Sequence, residues 1–120
     1  MGSDQHHLRA EPGELIVPAP VTAEVDYLTV KYFGRLGNLP LLHDFAVGRF
    51  RVECLTQNEY AIVERLERQY GGQFGLADLS VVVLAARFRT RRVLTFDQRH
   101  FRAITPLQGG SFVLLPGDEA

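Results

Sequence analysis

The 120-residue sequence is poor in cysteine and in long apolar runs, and each shortage excludes a class of protein. Cys54 is the only cysteine, so no intramolecular disulfide can form and a reducing compartment is expected. Between Val52 and Leu55, its thiol is predicted to be a small buried packing residue. No run approaches the roughly 18 apolar residues of a membrane-spanning helix, and no secretory signal opens the chain. These absences predict a cytoplasmic protein with no membrane partner.

Several sequence motifs that carry chemistry are also missing. No glycine-rich phosphate loop precedes a predicted helix, no serine sits in a nucleophile elbow, and no Cys/His set suits zinc. His6 and His7 are adjacent, so on a helix they would point about 100° apart and chelate poorly. Lys31 is the only lysine and follows no predicted strand, which disfavours a receiver-like domain with a phosphorylatable aspartate.

The composition is that of an ordinary globular domain, with 46% apolar residues, 22% charged residues and a net charge of −1. We predict a single domain over residues 1–120, with residues 1–13 as a residual helix or tail and residues 117–120 as a frayed C-terminus. Short apolar runs alternate with helical patterns, which predicts an α/β fold with a mostly parallel sheet between helical layers. The predicted strands are Leu15–Pro18, Phe50–Leu55, Arg92–Phe96 and Phe112–Leu115, and the main helices cover Val21–Phe33, Leu41–Val47, a segment opened by the capping box Thr56–Glu59, and Leu76–Phe88.

Three of these helices have distinct apolar patterns. Residues 81–86 are apolar around the whole helix, which predicts that the segment is covered on several sides. The other two helices each have one apolar stripe, and the stripe of the helix after the capping box is predicted to be buried. These stripes are Val21, Val25, Leu28 and Tyr32 in the first helix, and Tyr60, Val63, Leu66 and Tyr70 in the helix after the capping box.

Three carboxylates, Glu24, Asp78 and Asp97, each fall near a strand end or a helix start. At one edge of a parallel sheet such positions meet, and an all-oxygen acidic cluster there would suit Mg²⁺ or Mn²⁺. A bound divalent ion polarises a phosphodiester and lowers the pKa of an attacking water. The alternative is that each carboxylate only caps a helix or terminates a strand, as Glu24 would if it merely interacted with the helix dipole.

Arginines are concentrated in residues 87–102, where they could bind phosphates although the global charge is balanced. Arg89, Arg91 and Arg92 are the predicted phosphate contacts, with the alternative that they only solvate a turn and a helix end. His100 follows in the same segment and is assigned to local packing or capping rather than to the catalytic set.

Three stretches together, VPAPVTAEVDYL, GLADLSVVVLAARFRTRRVLTFDQRHF and FVLLP, resemble the PIN domain, in particular the VapC toxins of toxin–antitoxin pairs. The resemblance implies a PIN-like three-layer sandwich and a Mg²⁺- or Mn²⁺-dependent endoribonuclease that is neutralised by a VapB-like antitoxin. By motif, Glu24 matches the second acidic position of that family, Asp78 the third and Asp97 the fourth. The resemblance also implies that the phosphates contacted by Arg89, Arg91 and Arg92 belong to RNA. We also predict a homodimer.

Compared with that family, the first acidic position and the central first strand are missing, and Asp4 is a poor substitute for the absent ligand. We therefore expect a sheet without its central strand, weaker metal binding and impaired stability. The alternative function is a catalytically impaired PIN remnant that binds antitoxin or RNA without cleaving it.

Overall fold

Parallel pairs of short strands connected through helices form the architecture of this chain. The computed structural model describes residues 15–95, 98–115 and 117–118. The chain divides between Thr56 and Gln57 into an N-terminal and a C-terminal compact unit. The predicted single domain over residues 1–120 stays a prediction, and the predicted N-terminal tail, residues 1–13, lies outside the described residues.

The N-terminal unit is a β-α-α-β segment. Strand β1 covers Leu15–Pro18 and pairs in parallel with β2, Phe50–Glu53, over all four residues of each strand. Helices α1, Ala19–Phe33, and α2, Leu39–Ala46, connect the two strands. Pro20 lies in the first turn of α1, where the N–H that proline lacks would have no helical partner.

The predicted apolar stripe of α1 is not a buried face. Neither α1 nor α2 has a buried residue, and Leu28 and Tyr32 are 39% and 71% exposed. Cys54 is exposed as well, because β2 ends at Glu53 and the thiol lies just beyond the strand. Helical periodicity predicts which side chains share a face, but it does not supply an element to cover that face. Leu28 and Tyr32 share an apolar face that is not buried, and the predicted burial of Cys54 is wrong.

The C-terminal unit contains a second parallel strand pair and the larger part of the buried core. The parallel pairing in both units confirms the predicted α/β class with parallel strands. The elements of this unit are α3 (Gln57–Gln69), α4 (Gly75–Arg87), β3 (Arg92–Leu94), α5 (Gln98–Arg102) and β4 (Val113–Leu115).

Helix α4 is the centre of the C-terminal unit. Leu79 and Val82 in α4, and Leu114 in β4, are fully buried. Each such side chain contributes about 1.5–3 kcal/mol relative to an exposed one. The hydroxyl of Ser80 is also buried and donates to the carbonyl oxygen of Leu76 at 2.7 Å, so its burial leaves no polar atom unsatisfied. The predicted coverage of this helix on several sides is confirmed.

Helix α3 begins at Gln57, directly after Thr56, as the capping-box pattern predicts. Its buried face consists of Val63 and Leu66, whereas Tyr60 is 47% exposed, which corrects the predicted stripe. Glu59 accepts two hydrogen bonds from Arg87 at the last turn of α4, at 2.9 and 2.5 Å. This bidentate ion pair ties the two helices together and contributes on the order of 1 kcal/mol.

A carboxylate in the C-terminal tail is held by two donors. Asp118 accepts hydrogen bonds from the guanidinium of Arg102, at the end of α5, and from the backbone N–H of Leu114 at 2.8 Å. The hydrogen bond from Arg102, followed by that from Leu114, holds the pKa of the Asp118 carboxyl below its usual value. Asp118 lies in the tail that was predicted to fray, residues 117–120.

The lowered pKa of Asp118 predicts a pH-dependent contribution to stability. Because its folded-state pKa lies below the unfolded value, the contribution is fully present above the unfolded pKa, about 3.9. The contribution is lost as pH falls through the folded-state pKa. Asp118→Asn should therefore lower the melting temperature at about pH 7, and the difference from wild type should shrink towards about pH 3. The measurement is thermal unfolding of both proteins across that range.

Glu64→Gln is the matched control for Asp118→Asn, because it removes an exposed carboxylate paired with Arg68 within α3. Exposed pairs of this kind contribute little, so this variant should melt close to wild type. A melting difference for Asp118→Asn that stays constant from about pH 7 to about pH 3 would contradict the assignment.

Candidate functional site

Asp78 lies in the first turn of α4 with its side chain 22% exposed. The helix begins at Gly75, whose φ of +82° is a conformation that glycine adopts without steric cost. The backbone N–H of Gly75 donates to Oε1 of Glu67 in α3 at 3.2 Å. A side chain from another helix therefore satisfies one of the free N–H groups at the start of α4. The carboxylate of Asp78 is directed elsewhere.

The partner of Asp78 is His100, which lies 22 residues later in α5. Nδ1 of His100 is 2.6 Å from Oδ2 of Asp78. An ionised carboxylate only accepts hydrogen bonds, so the imidazole donates through its Nδ1–H. The side chain of His100 is 41% exposed, so the pair lies at the surface of the unit rather than in its core. The hydrogen bond orients one oxygen of a carboxylate that solvent can still reach.

Aromatic side chains support the His100 ring from the side of α3 and α4. The ring of Phe74, the residue before α4, packs edge-to-face against His100 with centroids 5.5 Å apart. Tyr70 packs in the same way on Phe74 at 5.2 Å, and its hydroxyl accepts the backbone N–H of Thr105 at 3.1 Å. Phe74 is buried, so the surface on which His100 rests belongs to the core. The imidazole is therefore held by a ring contact and a hydrogen bond together.

Glu24 lies on α1 of the N-terminal unit and is exposed. No acidic residue lies in the first turn of α1, so Glu24 is beyond the part of the helix where the dipole stabilises a carboxylate most. This position weakens the interpretation of Glu24 as a residue that only interacts with the helix dipole. Its exposure leaves the carboxylate accessible to a ligand.

Asp97 lies outside the described residues, between Thr95 and the start of α5 at Gln98. Just before the gap, the backbone N–H of Thr95 donates to the carbonyl oxygen of Leu115 at 3.2 Å, which extends the β3–β4 pairing by one residue. In the part of the chain that the structure describes, no three His, Cys, Asp or Glu side chains are grouped to hold a metal ion. The cluster of Glu24, Asp78 and Asp97 stays a prediction.

The chemistry of these side chains fits a hard divalent cation. The three predicted ligands are all carboxylates, and Asp78 is accessible and held in orientation by His100. Oxygen donors of this kind select Mg²⁺ or Mn²⁺ over soft metals. The sequence interpretation assigned His100 to local packing and did not foresee its hydrogen bond to Asp78. The sequence signal that could have indicated a role near the acidic site is the position of His100, three residues after Asp97 in the same motif.

The three arginines predicted to contact RNA follow α4 and are all exposed. Arg89 terminates the helix in the left-handed region, with φ +56°, while the N–H groups of Arg89 and Thr90 donate to the carbonyl oxygens of Ala86 and Ala85. Arg91 donates to the carbonyl oxygens of Gly109 at 2.7 Å and Gln108 at 3.3 Å, so its guanidinium also holds the loop before β4. Arg92 begins β3.

No protein-family model matches the chain. Ribonuclease VapC26 of Mycobacterium tuberculosis is 39% identical over 103 residues, which cover 85% of this chain and 76% of the relative. Identity at this level over most of both chains indicates common ancestry and a common fold. The chain belongs to the VapC-type toxins of the PIN-domain family.

Proposed function

We propose that this protein is a metal-dependent endoribonuclease toxin that cleaves RNA phosphodiester bonds and is neutralised by a cognate VapB-like antitoxin. The observation that carries the proposal is the accessible carboxylate of Asp78, held by His100, in a chain 39% identical to a protein named as a VapC ribonuclease. The alternative function is a catalytically impaired PIN remnant that binds antitoxin or RNA without cleaving it. The two differ in one measurable property, which is RNA cleavage with added Mg²⁺ or Mn²⁺.

In this proposal Glu24, Asp78 and Asp97 hold the Mg²⁺ or Mn²⁺ ion through carboxylate oxygens. When bound, such an ion polarises the phosphodiester and lowers the pKa of the attacking water. The chain's own residues supply negative charge and orientation. Asp78 provides charge at the first turn of α4, and its hydrogen bond with His100 restricts the rotation of the carboxylate. Restricting rotation before the ion binds reduces the entropy lost on binding.

Asp78→Asn tests the site. An amide keeps the shape of the side chain but removes the charge that offsets the ion, so RNA cleavage should fall by about 100-fold or more. Cleavage of a labelled RNA is measured at saturating Mn²⁺, together with Mn²⁺ affinity by electron paramagnetic resonance. Asp44→Asn is the matched control, because it makes the same chemical change at a carboxylate paired with Arg49. Undiminished cleavage by Asp78→Asn would reject the site, and absence of cleavage by the wild-type protein would favour the impaired remnant.

We further propose that the arginines after α4 bind RNA phosphates. Arg89→Asn with Arg92→Gln removes two charges while leaving the hydrogen bonds of Arg91 to its loop in place. Asparagine tolerates the left-handed conformation at position 89, so the helix end should be kept. The logarithm of the RNA-binding constant falls linearly with the logarithm of the salt concentration. The slope of this line should become less steep by about 0.7 for each phosphate that the variant no longer neutralises.

The control for the arginine variant is Arg68→Gln, which neutralises an arginine paired with Glu64 on α3. Affinity for single-stranded RNA is measured over a salt series for all three proteins. If the slope of the Arg89/Arg92 variant equals that of wild type, the two side chains do not contact phosphates.

Exposed apolar side chains on α1 and the turn after it support a protein partner. Tyr32 is 71% exposed, Phe33 76% and Leu36 64%, and we call these three residues the apolar face. Burying a side chain of this size contributes about 1.5–3 kcal/mol, so a partner that covers the face would bind through it. We propose that the antitoxin covers it and that the toxin itself forms a homodimer through another surface.

Phe33→Asp should abolish co-purification with the co-expressed antitoxin, because a charge would replace an apolar contact. Leu107→Asp is the control, since Leu107 is an apolar residue of the C-terminal unit that is 40% exposed. Light scattering after size exclusion gives the oligomeric state of each protein alone. Loss of the dimer with antitoxin binding retained would assign the apolar face to the homodimer instead.

The proposed location is the cytoplasm, where both RNA and antitoxin would be available. In the described ranges, none of the helices combines the length and apolar character needed to cross a membrane. The single cysteine, Cys54, is compatible with a reducing compartment.

A further inference from the structure

We propose that His100 is a positioning residue for Asp78: its Nδ1–H fixes the carboxylate in the orientation in which Asp78 binds the divalent ion. This inference rests on the proposed function, because it needs Asp78 to be a metal ligand. It adds a role for a residue that belongs to no acidic position of the family motif. The inference is based on the 2.6 Å distance between Nδ1 of His100 in α5 and Oδ2 of Asp78 in α4.

The geometry of the pair assigns Nδ1 of His100 to the hydrogen bond with Asp78 rather than to metal binding. Nδ1 of His100 donates to Asp78, so that nitrogen cannot also donate an electron pair to a cation. A carboxylate with one oxygen in a hydrogen bond retains acceptor capacity at the other oxygen. Hydrogen bonds of this kind to ligands of a metal typically change metal affinity by about 10–100-fold when they are removed.

The surroundings of His100 indicate that its ring is held in place before any ligand binds. Phe74 packs against one side of the ring, and Phe74 is itself buried and packed on Tyr70. The ring of the next residue, Phe101, is buried and packs edge-to-face on Phe112 with centroids 5.9 Å apart, which anchors α5 to the segment before β4. The short helix α5 therefore presents His100 to Asp78 from a fixed position.

The alternative is that His100 only packs against Phe74 and ties α5 to α4, with no effect on metal binding. Two substitutions separate these roles. In His100→Asn the amide nitrogen takes the place of Nδ1 and can donate to Asp78, but the ring that contacts Phe74 is lost. In His100→Phe a ring remains for Phe74, but no donor remains for Asp78. The positioning role predicts rescue by asparagine, and the packing role predicts rescue by phenylalanine.

The experiment measures Mn²⁺ affinity by electron paramagnetic resonance, the melting temperature without metal, and kcat and KM for RNA cleavage. For His100→Phe we expect Mn²⁺ affinity to fall by about 10-fold or more with a melting temperature close to wild type. For His100→Asn we expect an affinity within about threefold of wild type, since the donor is kept. At subsaturating Mn²⁺ the loss of cleavage by His100→Phe should appear in kcat and should be reduced by adding more Mn²⁺.

His100→Ala is a second donor-free variant in case the phenylalanine ring disturbs folding, and its Mn²⁺ affinity should fall as that of His100→Phe does. The positioning role would be overturned if His100→Phe or His100→Ala folds and binds Mn²⁺ as tightly as wild type. It would also be overturned if His100→Asn binds Mn²⁺ no better than these two donor-free variants.

Asp78→Asn in the same series identifies which proposal has failed. If it binds Mn²⁺ as wild type does, both the metal site and the role of His100 are wrong. If it loses Mn²⁺ while His100→Phe keeps it, only the positioning role is wrong.

Discussion

The burial of α4 is the constraint on which the C-terminal unit depends. Leu79, Val82 and Val83 are almost completely excluded from solvent, and such a helix is stable only when other elements cover it on several sides. Val63 and Leu66 of α3, Val93 of β3 and Leu114 of β4 are buried in the same unit. The first turn of α4 remains accessible at one end of this core, and Asp78 lies there.

The first turn of α4 presents the carboxylate of Asp78 in an orientation that is fixed by His100, which would favour the binding of a cation. The N–H groups of the first helical turn must be satisfied by other atoms, and at Gly75 this partner is Glu67 rather than Asp78. Asp78 is thereby available to His100, whose ring rests on Phe74. Helices α4 and α5 thus determine the orientation of this carboxylate, and this is the structural support for the proposed role of Asp78.

Sequence patterns predicted the elements well where a local signal was strong. The capping box placed the start of α3 at Gln57, and the apolar circumference of residues 81–86 predicted a covered helix. The stripes of α1 and α3 were less reliable: Leu28, Tyr32 and Tyr60 are exposed although their spacing suits a buried face. Burial depends on a neighbouring element, and the spacing of residues within one helix carries no information about its neighbours.

The sequence by itself determined the α/β class, the family and the chemical type of the predicted ligands, because these follow from residue identity and local order. Carboxylate oxygens suit a hard cation, so residue identity fixes the type of ion that the three predicted ligands would take, but not whether they meet. The tertiary structure alone decided that His100 meets Asp78, that Glu67 serves the start of α4, and that Arg91 holds the loop before β4. Each of these contacts joins residues on different elements, and their separation along the chain gives no physical signal until the chain folds.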